Sequence, residues 1–581
     1  MVMSGRIRRF YEFGPFHIDT AEQLLLRDGR PVQLTQKAFD TLIALVENRG
    51  RLLEKDELMR IIWPDAFVEE ANLANNISLL RKILGDRADN RLYIETIPRR
   101  GYRFVASVKE LENGSQKDEA IAAVRSIAVL PFKPLNPDDG DEYLGLGIAD
   151  ALITRLGNIR KIIVRPTSAV RKYTGLEQDP VEAGRELRVE SVLEGGIQRS
   201  GERIRVTVQL VDISNSAPLW ADKFDEKFTD IFTVQDSISE KVAGSLMLKL
   251  TSEERRLLTK RYTENTEAYR LYLQGLHYKN KGTKDSALKA IEYFNHAIEI
   301  DPHYALAYTG LAGSYCWLSH VYSDPRETAP KAKAAAERAL ELDDSLAEAH
   351  TSLARLSISY DWNWPAAERE YLRAIELNPN YAEAHQWYGF YLTVMGRFDE
   401  AIREIDRAQE LDPLSFMRSA FRGWSLYFAR RYDEAIEQFR KLVEMDPNFH
   451  MAYWGLGMAY DEKGEFSEAI AEFQKALSTP DGGGAEMITR LGHVYATSGK
   501  KEEAQRLLAE LEEMSARRYV SPMLMARIHT GLDEKERAFE FLERAFTERS
   551  PWMVYLKVDP VFDNLRSDPR FANLVRRMGL S

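Results

Sequence analysis

Residues 69–105, EEANLANNISLLRKILGDRADNRLYIETIPRRGYRFV, decide how the first part of this chain folds. Leu73, Ile77, Leu80 and Leu84 recur within this stretch at intervals of four, three and four residues. This spacing is typical of a helix with a single apolar face. The sequence therefore predicts an amphipathic helix that buries these four side chains.

A basic β-hairpin is predicted to follow this helix. Residues 92–97 (LYIETI) have strand composition, residues 98–101 (PRRG) form a turn, and residues 102–105 (YRFV) return. Arg99 and Arg100 lie at the tip of this hairpin. A helix backed by a basic hairpin is the build of a winged helix, which places one element in a groove of DNA and touches the next groove with the other.

Polar side chains occupy the faces of the predicted helix that the apolar stripe leaves open. Asparagine offers the paired donor and acceptor that reads adenine in the major groove, whereas lysine and arginine suit guanine or phosphate. The candidate DNA-binding residues are Asn72, Asn75, Asn76, Ser78, Arg81 and Lys82 on the helix and Arg99 and Arg100 on the hairpin.

The residues before this stretch complete a domain of recognisable type. Short apolar strands precede Thr35, which is predicted to cap a helix carrying Phe39 and Val46. A second helix spans residues 55–62. This order, with LTQKAFDTLIALVENRGRLLEKDELMRIIWPD and the final GYRF, resembles the OmpR/PhoB-type winged-helix DNA-binding domain over about residues 8–108. The resemblance implies binding to double-stranded DNA.

The predicted recognition helix departs from this family in its charge. The resemblance implies several basic exposed positions, where this chain has Ala71, Ser78 and Leu79. Residues 1–108 contain 17 Lys and Arg against 15 Asp and Glu, a net charge of +2, whereas the whole chain carries −11. We therefore expect modest, salt-sensitive DNA affinity that a homodimer or tandem sites would increase. The alternative is a winged helix that serves protein docking.

Length and composition place the chain among multidomain globular proteins. It has 581 residues, of which 44% are hydrophobic and 29% charged. The single cysteine, Cys316, excludes an intramolecular disulfide and is predicted to be buried in a helix. The N-terminal residues lack the apolar region of a signal peptide, and no stretch approaches the roughly 18 apolar residues of a membrane helix. The sequence thus predicts a cytoplasmic protein without membrane partners.

A second domain of mixed strands and helices is predicted over residues 124–250, after a polar linker at residues 109–123. The strands include residues 126–132, 162–164, 191–197 and 204–210, and the last helix is predicted from Val234 to Leu250. The motifs IAVLPF, GIADALITRL and VLEGGIQRSGERIRVTVQLVD resemble the TolB amino-terminal-like or FlgO-like domain, which implies a sensory or assembly role. Gly145 and Gly147 are interpreted as a tight strand-to-helix turn, because the remaining residues of a phosphate loop are absent.

The chain repeats itself in its last part, residues 251–581. Ala367, Ala401, Ala435, Ala469, Ala504 and Ala538 are spaced by 34 or 35 residues, and small residues recur at Gly389, Gly423, Gly457 and Gly492. This pattern is identified as a tetratricopeptide array of about eight units, each a pair of antiparallel helices. Residues 558–580 are predicted to form a terminal capping helix.

Stacked units of this kind enclose a groove lined by the first helix of each pair. The repeat register places Phe390, Trp424, Tyr427, Trp454 and Met458 toward this groove. Large apolar side chains in a groove are candidate anchors for a protein or peptide partner. The alternative is that they pack between repeats or against the chain's own neighbouring domain.

No enzyme motif is evident in the sequence. The ten histidines show no paired metal-ligand spacing, and no nucleophile elbow, kinase motif or nucleotide loop is present. No metal or other cofactor is therefore predicted. The fold class is multidomain α+β: a winged helix, an α/β domain and an all-α superhelix. We expect a one-component transcriptional regulator that adjusts dimerisation or RNA polymerase contact in response to a signal. The alternatives are an interaction scaffold and, for the middle domain, a small-molecule receptor.

Overall fold

The computed structural model describes the chain in two compact units, Met1–Ala123 and Val124–Ser581. The described residues are all except 1–9, 15, 21–23, 28–29, 33, 64–67, 69, 86–92, 99, 107, 112–124, 136–141, 175–178, 247, 249, 282, 480–483 and 581. The units are described separately below.

The described residues of the first unit form two small antiparallel sheets and three helices. The five-stranded sheet has the order β4-β3-β2-β1-β8, and the three-stranded sheet has the order β5-β7-β6. The strands are β1 Phe10–Phe13, β2 Phe16–Asp19, β3 Leu24–Arg27, β4 Arg30–Val32, β5 Leu53–Glu54, β6 Ile94–Ile97, β7 Gly101–Phe104 and β8 Lys109–Leu111. The helices are α1 Gln36–Glu47, α2 Lys55–Ile62 and α3 Glu70–Leu84.

The apolar stripe of α3 forms part of the core of this unit, as its spacing predicts. Leu73, Ile77, Leu80 and Leu84 are all buried, and they join one cluster with side chains of α1, α2 and both sheets. The predicted cap of α1 is also confirmed, because the Thr35 hydroxyl accepts a hydrogen bond from the amide of Ala38 at 3.3 Å. Burial of the stripe fixes which faces of α3 remain open to solvent.

The second unit begins with a mixed sheet, as the sequence predicts. Its order is β11-β9-β12-β13-β14, with β10 paired to β12; β11, β9 and β12 run parallel, and β12, β13 and β14 run antiparallel. The strands are β9 Arg125–Val129, β10 Lys133–Pro134, β11 Ile162–Val164, β12 Ser191–Ser200, β13 Arg203–Asp212 and β14 Ala217–Lys227. The helices are α4 Glu142–Gly157, α5 Thr167–Val170, α6 Pro180–Glu186, α7 Ile231–Ser245 and α8 Ser252–Leu258.

Two details of the sequence interpretation are wrong in this region. Gly145 and Gly147 lie inside α4 and do not form a strand-to-helix turn. A β-carbon on Gly147 would lie 2.7 Å from Leu273 Cδ2, so glycine here allows close packing against a repeat helix. The helix predicted to reach Leu250 ends at Ser245, and a capping box between Thr251 and Glu254 starts a separate helix.

Eight helical hairpins follow in the described part of the second unit. The helices are α9 Thr266–Lys279, α10 Lys284–Ile300, α11 Ala305–Val321, α12 Pro325–Leu342, α13 Ala347–Leu356, α14 Trp364–Leu377, α15 Ala382–Met395, α16 Phe398–Leu411, α17 Phe416–Phe428, α18 Tyr432–Met445, α19 His450–Glu462, α20 Phe466–Ser478, α21 Ala485–Thr497, α22 Lys501–Ser515, α23 Pro522–Gly531 and α24 Lys535–Thr547. The six repeating alanines are fully buried. A β-carbon on Gly457 would lie 2.7 Å from Phe473 Cε1, which shows why a small residue recurs there.

The chain ends in two 3₁₀ turns and a short helix, not in the single capping helix that the sequence predicts. The turns span Pro551–Tyr555 and Pro560–Leu565, and the helix, α25, spans Pro569–Arg577. Prolines at the first position of each element end the preceding turn, because proline cannot continue the hydrogen-bond ladder.

The mixed sheet and the repeats are joined by buried polar contacts. Arg165, which follows β11, donates hydrogen bonds to the carbonyls of Glu410 and Leu411 at 2.6 and 2.9 Å. The Asn380 side chain donates to the carbonyl of Ile162 at 2.8 Å. These bonds fasten the parallel edge of the sheet to the loops that end α14 and α16, so the two regions form one compact body.

Candidate nucleic-acid interface and repeat groove

The solvent-facing side of α3 carries four of the predicted DNA-binding side chains. Asn72, Asn75, Ser78 and Lys82 are exposed, and their spacing of three, three and four residues keeps them on one face. This face lies opposite the buried stripe. Its side chains present amide, hydroxyl and ammonium groups, which are the groups that read base edges and phosphates in a major groove.

Asn76 occupies a different position at the edge of this face. Its side-chain amide donates hydrogen bonds to the carbonyl of Lys37 at 3.1 Å and to the hydroxyl of Thr41 at 3.0 Å. Thr41 is itself buried in α1. In this structure Asn76 therefore holds α3 against α1, and its amide protons are directed away from the exposed face.

Arg81 is likewise engaged within the domain. Its guanidinium donates to the carbonyl of Ile94 at 2.9 Å and to the hydroxyl of Thr96 at 2.6 Å. It also lies 5.9 Å from the centre of the Tyr102 ring. Arg81 thus links the recognition helix to the hairpin. The sequence does not predict this role, because the partners of Arg81 lie 13 and 15 residues later in the chain.

The predicted wing is the hairpin of β6 and β7. Arg100 at its turn is exposed over 65% of its side chain, and its guanidinium lies 3.9 Å from the Glu54 carboxylate. Arg99 lies outside the described residues. A β-carbon on Gly101 would lie 1.9 Å from the carbonyl oxygen of Leu53, so only glycine allows β7 to pair with β5 at this point.

The repeat groove differs from the sequence expectation. Phe390, Tyr427, Trp454 and Met458 are buried and Trp424 is partly buried, so none of the five forms an open row of anchors. The alternative interpretation, packing against the chain itself, describes this structure. Sequence periodicity gives the face of a helix on which a residue lies, but it does not reveal what covers that face.

The covering element is the C-terminal segment containing the two 3₁₀ turns. The Tyr555 ring lies 5.6 Å from that of Phe390 and 5.2 Å from that of Phe428. Farther along, the Asp559 carboxylate pairs with Arg490 and Arg527, each at 3.0 Å. These contacts involve α15, α17, α21 and α23, so residues 551–565 pack against the first helices of four repeats.

The Arg490–Asp559–Arg527 cluster is the most deeply buried ionic group among the described residues. The exposed fractions of these side chains are 2%, 0% and 1%, respectively. Burial raises the pKa of Asp559, but the two guanidinium groups lower it further, so its net pKa lies below the usual value. The three residues are far apart in sequence, and no local motif indicates that they meet.

Comparison with known families assigns three parts of the chain. The model described as "Transcriptional regulatory protein, C terminal" matches residues 29–104. The model described as "HilA/YgeH-like transcriptional regulator, second domain" matches residues 123–241. Tetratricopeptide repeat models match residues 370–403 and 422–485. These matches confirm the predicted winged helix and repeats, and they relate the middle region to a regulator domain.

The curated relatives include several transcriptional regulators. The chain is 24% identical to the transcriptional regulator HilA of Salmonella typhi over 65% of its own length and 66% of that protein. It is 35% identical to the transcriptional activator CadC of Escherichia coli K12 over 14% of its length and 16% of that protein. It is also 31% identical to a putative adenylate cyclase 3 of Rhizobium meliloti over 41% of each chain.

The chain thus spans no more than two thirds of the length of these relatives. Separately, no helix in the part of the chain that the structure describes is long and apolar enough to cross a membrane. The relatives support the interpretation as a regulator over that as an interaction scaffold. The chain therefore combines a winged-helix domain of the transcriptional regulatory protein C-terminal type, a HilA/YgeH-like second domain and tetratricopeptide repeats.

Proposed function

We propose that this protein is a transcriptional regulator that binds double-stranded DNA through its first unit. The observation that carries the proposal is the exposed face of α3, which presents Asn72, Asn75, Ser78 and Lys82 beside a wing bearing Arg100. Helix α3 lies in the major groove, and Asn72 and Asn75 read base edges. Arg99 and Arg100 contact the phosphate backbone or the adjacent minor groove.

Asn76 and Arg81 take a positioning role in this proposal. Their hydrogen bonds to α1 and to the wing set the angle between the recognition helix and the hairpin. The wing can reach the DNA backbone only if this angle is maintained. Loss of either side chain would therefore weaken binding to all sequences, whereas loss of Asn75 would change the preferred sequence.

The second unit receives the signal in this proposal. The HilA/YgeH-like region and the repeats form one body, so a ligand or protein bound to either part can act on the whole. A protein partner either binds the outer surface of the repeats or displaces residues 551–565 from the groove side. The proposed outputs are changes in homodimerisation or in contact with RNA polymerase. No catalytic activity is assigned. The proposed location is the cytoplasm, because the target is DNA.

Selection from a random-sequence DNA library at two salt concentrations tests the DNA-binding proposal. The full-length protein is expected to retain a recurring sequence motif at the higher salt, and the spacing of half-sites would report the dimer geometry. Retention without a motif, lost at the higher salt, would contradict sequence-specific regulation and favour a docking role for the winged helix.

The wing is tested with the double substitution Arg99→Ala and Arg100→Ala. The slope of log affinity against log salt is expected to fall by up to about two units, at about 0.9 per phosphate contact. The matched control is Arg27→Ala with Arg30→Ala, which removes the same charge from strands of the five-stranded sheet. Equal slopes for the two double variants would remove the wing from the mechanism.

A further inference from the structure

A cavity of about 420 Å³ lies between the mixed-sheet region and the groove side of the first repeats. Helices α4 and α5 form one wall, and α9, α11, α13 and α15 form the other. This volume falls within the range of about 300–1,000 Å³ that is usual for small-molecule sites. All the residues that line this cavity belong to the second unit, which receives the signal under the proposed function.

The walls of this cavity are held in place by bonds between the sheet region and the repeats. Ser168, a lining residue on α5, donates a hydrogen bond to the Asp412 carboxylate at 2.7 Å. The same carboxylate pairs with Arg418, which also lines the cavity. The Asn380 bond to the sheet lies at the same border. The space is therefore set by the packing of the second unit and does not depend on a single loop.

Most of the charged groups that line the cavity already have partners. Glu383 accepts a hydrogen bond from the Tyr381 hydroxyl at 3.1 Å and lies 3.8 Å from the guanidinium of Arg355. Asp150 accepts a hydrogen bond from the hydroxyl of Thr167. These groups are satisfied within the protein, so they shape the polarity of the cavity without requiring a ligand.

Two other charged groups that line the cavity, Glu348 and Lys279, form no ion pair with the described residues. Among the described residues, no cation lies within 4.0 Å of the Glu348 carboxylate, and no carboxylate lies within 4.0 Å of the Lys279 ammonium. Burial raises the pKa of Glu348, and a hydrogen bond from its own backbone amide lowers it. The nearby Asp150 and Glu383 raise it, and Lys279 lowers it. The four groups therefore share one electrostatic environment.

Gly313 of α11 makes room for the lysine. A β-carbon at this position would lie 3.1 Å from the Lys279 nitrogen, so the ammonium rests against the bare backbone of α11. Lys279 is the last residue of α9, and Glu348 lies in the first turn of α13. The two charges thus reach the cavity from different repeats.

We propose that this cavity binds a small zwitterion of amino-acid or dipeptide size, with its ammonium group on Glu348 and its carboxylate on Lys279. Glu348 is partly buried and Lys279 is exposed, and a ligand with both charges can pair with both groups at once. Tyr272, Leu276 and Trp317 supply an apolar surface for the ligand's side chain. No three His, Cys, Asp or Glu side chains in the described ranges converge as metal ligands, so the acidic side favours an organic cation.

Isothermal titration calorimetry on the full-length protein tests this proposal. The probes are the proteinogenic L-amino acids and a set of unblocked dipeptides, each compared with its amine-only and carboxylate-only analogues. At least one zwitterion is expected to bind about tenfold or more tightly than either analogue, a difference of about 1.4 kcal/mol. Binding by none of the zwitterions, or equal binding by an amine-only analogue, would overturn the proposal.

Two isosteric variants locate the site. Glu348→Gln and Lys279→Met are each expected to weaken binding of the same zwitterion by about tenfold or more. Glu299→Gln and Lys284→Met, exposed residues on α10, are the matched controls. Undiminished binding in both cavity variants would place the ligand elsewhere. Thermal melts report folding, and DNA retention is measured separately, so a failure here is distinguishable from a failure of the proposed function.

Discussion

The substitution Asp559→Asn isolates the contribution of the buried ionic cluster that holds the C-terminal segment in the groove. The carboxylate of Asp559 is the anion shared by Arg490 and Arg527, with both distances at 3.0 Å. It also accepts a hydrogen bond from the amide of Val561 at 3.3 Å, which caps the second 3₁₀ turn. Asparagine keeps the side-chain shape and, through its Oδ1, this cap. Its amide nitrogen replaces the oxygen that faces the two guanidinium groups, so the substitution removes the negative charge and that acceptor.

The expected loss follows from burial. Removing one partner of a buried ion pair typically costs about 3–5 kcal/mol, because the remaining charge has no solvent to stabilise it. Here two guanidinium groups would remain, both almost fully buried. We therefore expect Asp559→Asn to lower the free energy of unfolding of the second unit by about 3–5 kcal/mol.

The pH dependence provides a second check on the same residue. The folded-state pKa of Asp559 lies below its unfolded value, so the charge stabilises the fold above the unfolded pKa, and this stability is lost as pH falls through the folded pKa. The difference in stability between wild type and Asp559→Asn should therefore be largest near neutral pH and shrink in acid.

Urea denaturation followed by tryptophan fluorescence measures this effect. Trp552 lies 5.5 Å from the Arg527 guanidinium and reports on the cluster. The matched control is Asp563→Asn, which removes a half-exposed partner of Arg430 and should change stability by about 1 kcal/mol or less. A loss of stability for Asp559→Asn no greater than that for the control would show that the buried cluster does not stabilise the second unit.

Three further substitutions test other parts of the second unit by thermal or urea denaturation. Burial, and then the neighbouring Asp461, raise the pKa of Glu462 to about 7, so the wild-type protein loses stability as pH rises through that value. Glu462→Gln should therefore raise the free energy of unfolding by up to about 3 kcal/mol at pH 8 and have little effect at pH 4. Equal effects at both pH values would contradict this. Gly457→Ala should destabilise by about 1–3 kcal/mol through the clash with Phe473, whereas Gly244→Ala in open space should not. Arg165→Met should cost about 2–4 kcal/mol, because it leaves buried carbonyl oxygens without donors; a loss below 1 kcal/mol would show that apolar packing alone joins the sheet to the repeats.

The local elements and the fold class of each region follow from the residue pattern alone. The four-residue stripe of α3 needs only helical periodicity to be assigned as buried, and the Thr35 cap needs only its neighbours along the chain. The repeating alanines and glycines likewise indicate helix pairs, because each unit packs mainly on the next one. These features depend on contacts between residues a few positions, or one repeat, apart.

Long-range packing controls which polar and aromatic side chains remain exposed to solvent. Asn76 and Asn75 are adjacent in sequence and chemically identical, yet Asn76 bonds to α1 across 35 to 39 residues while Asn75 faces solvent. The predicted groove residue Phe390 contacts Tyr555, which lies 165 positions later in the chain. Glu348 and Lys279 reach one cavity from separate repeats. Such outcomes depend on long-range packing, where the order of residues along the chain carries no local signal.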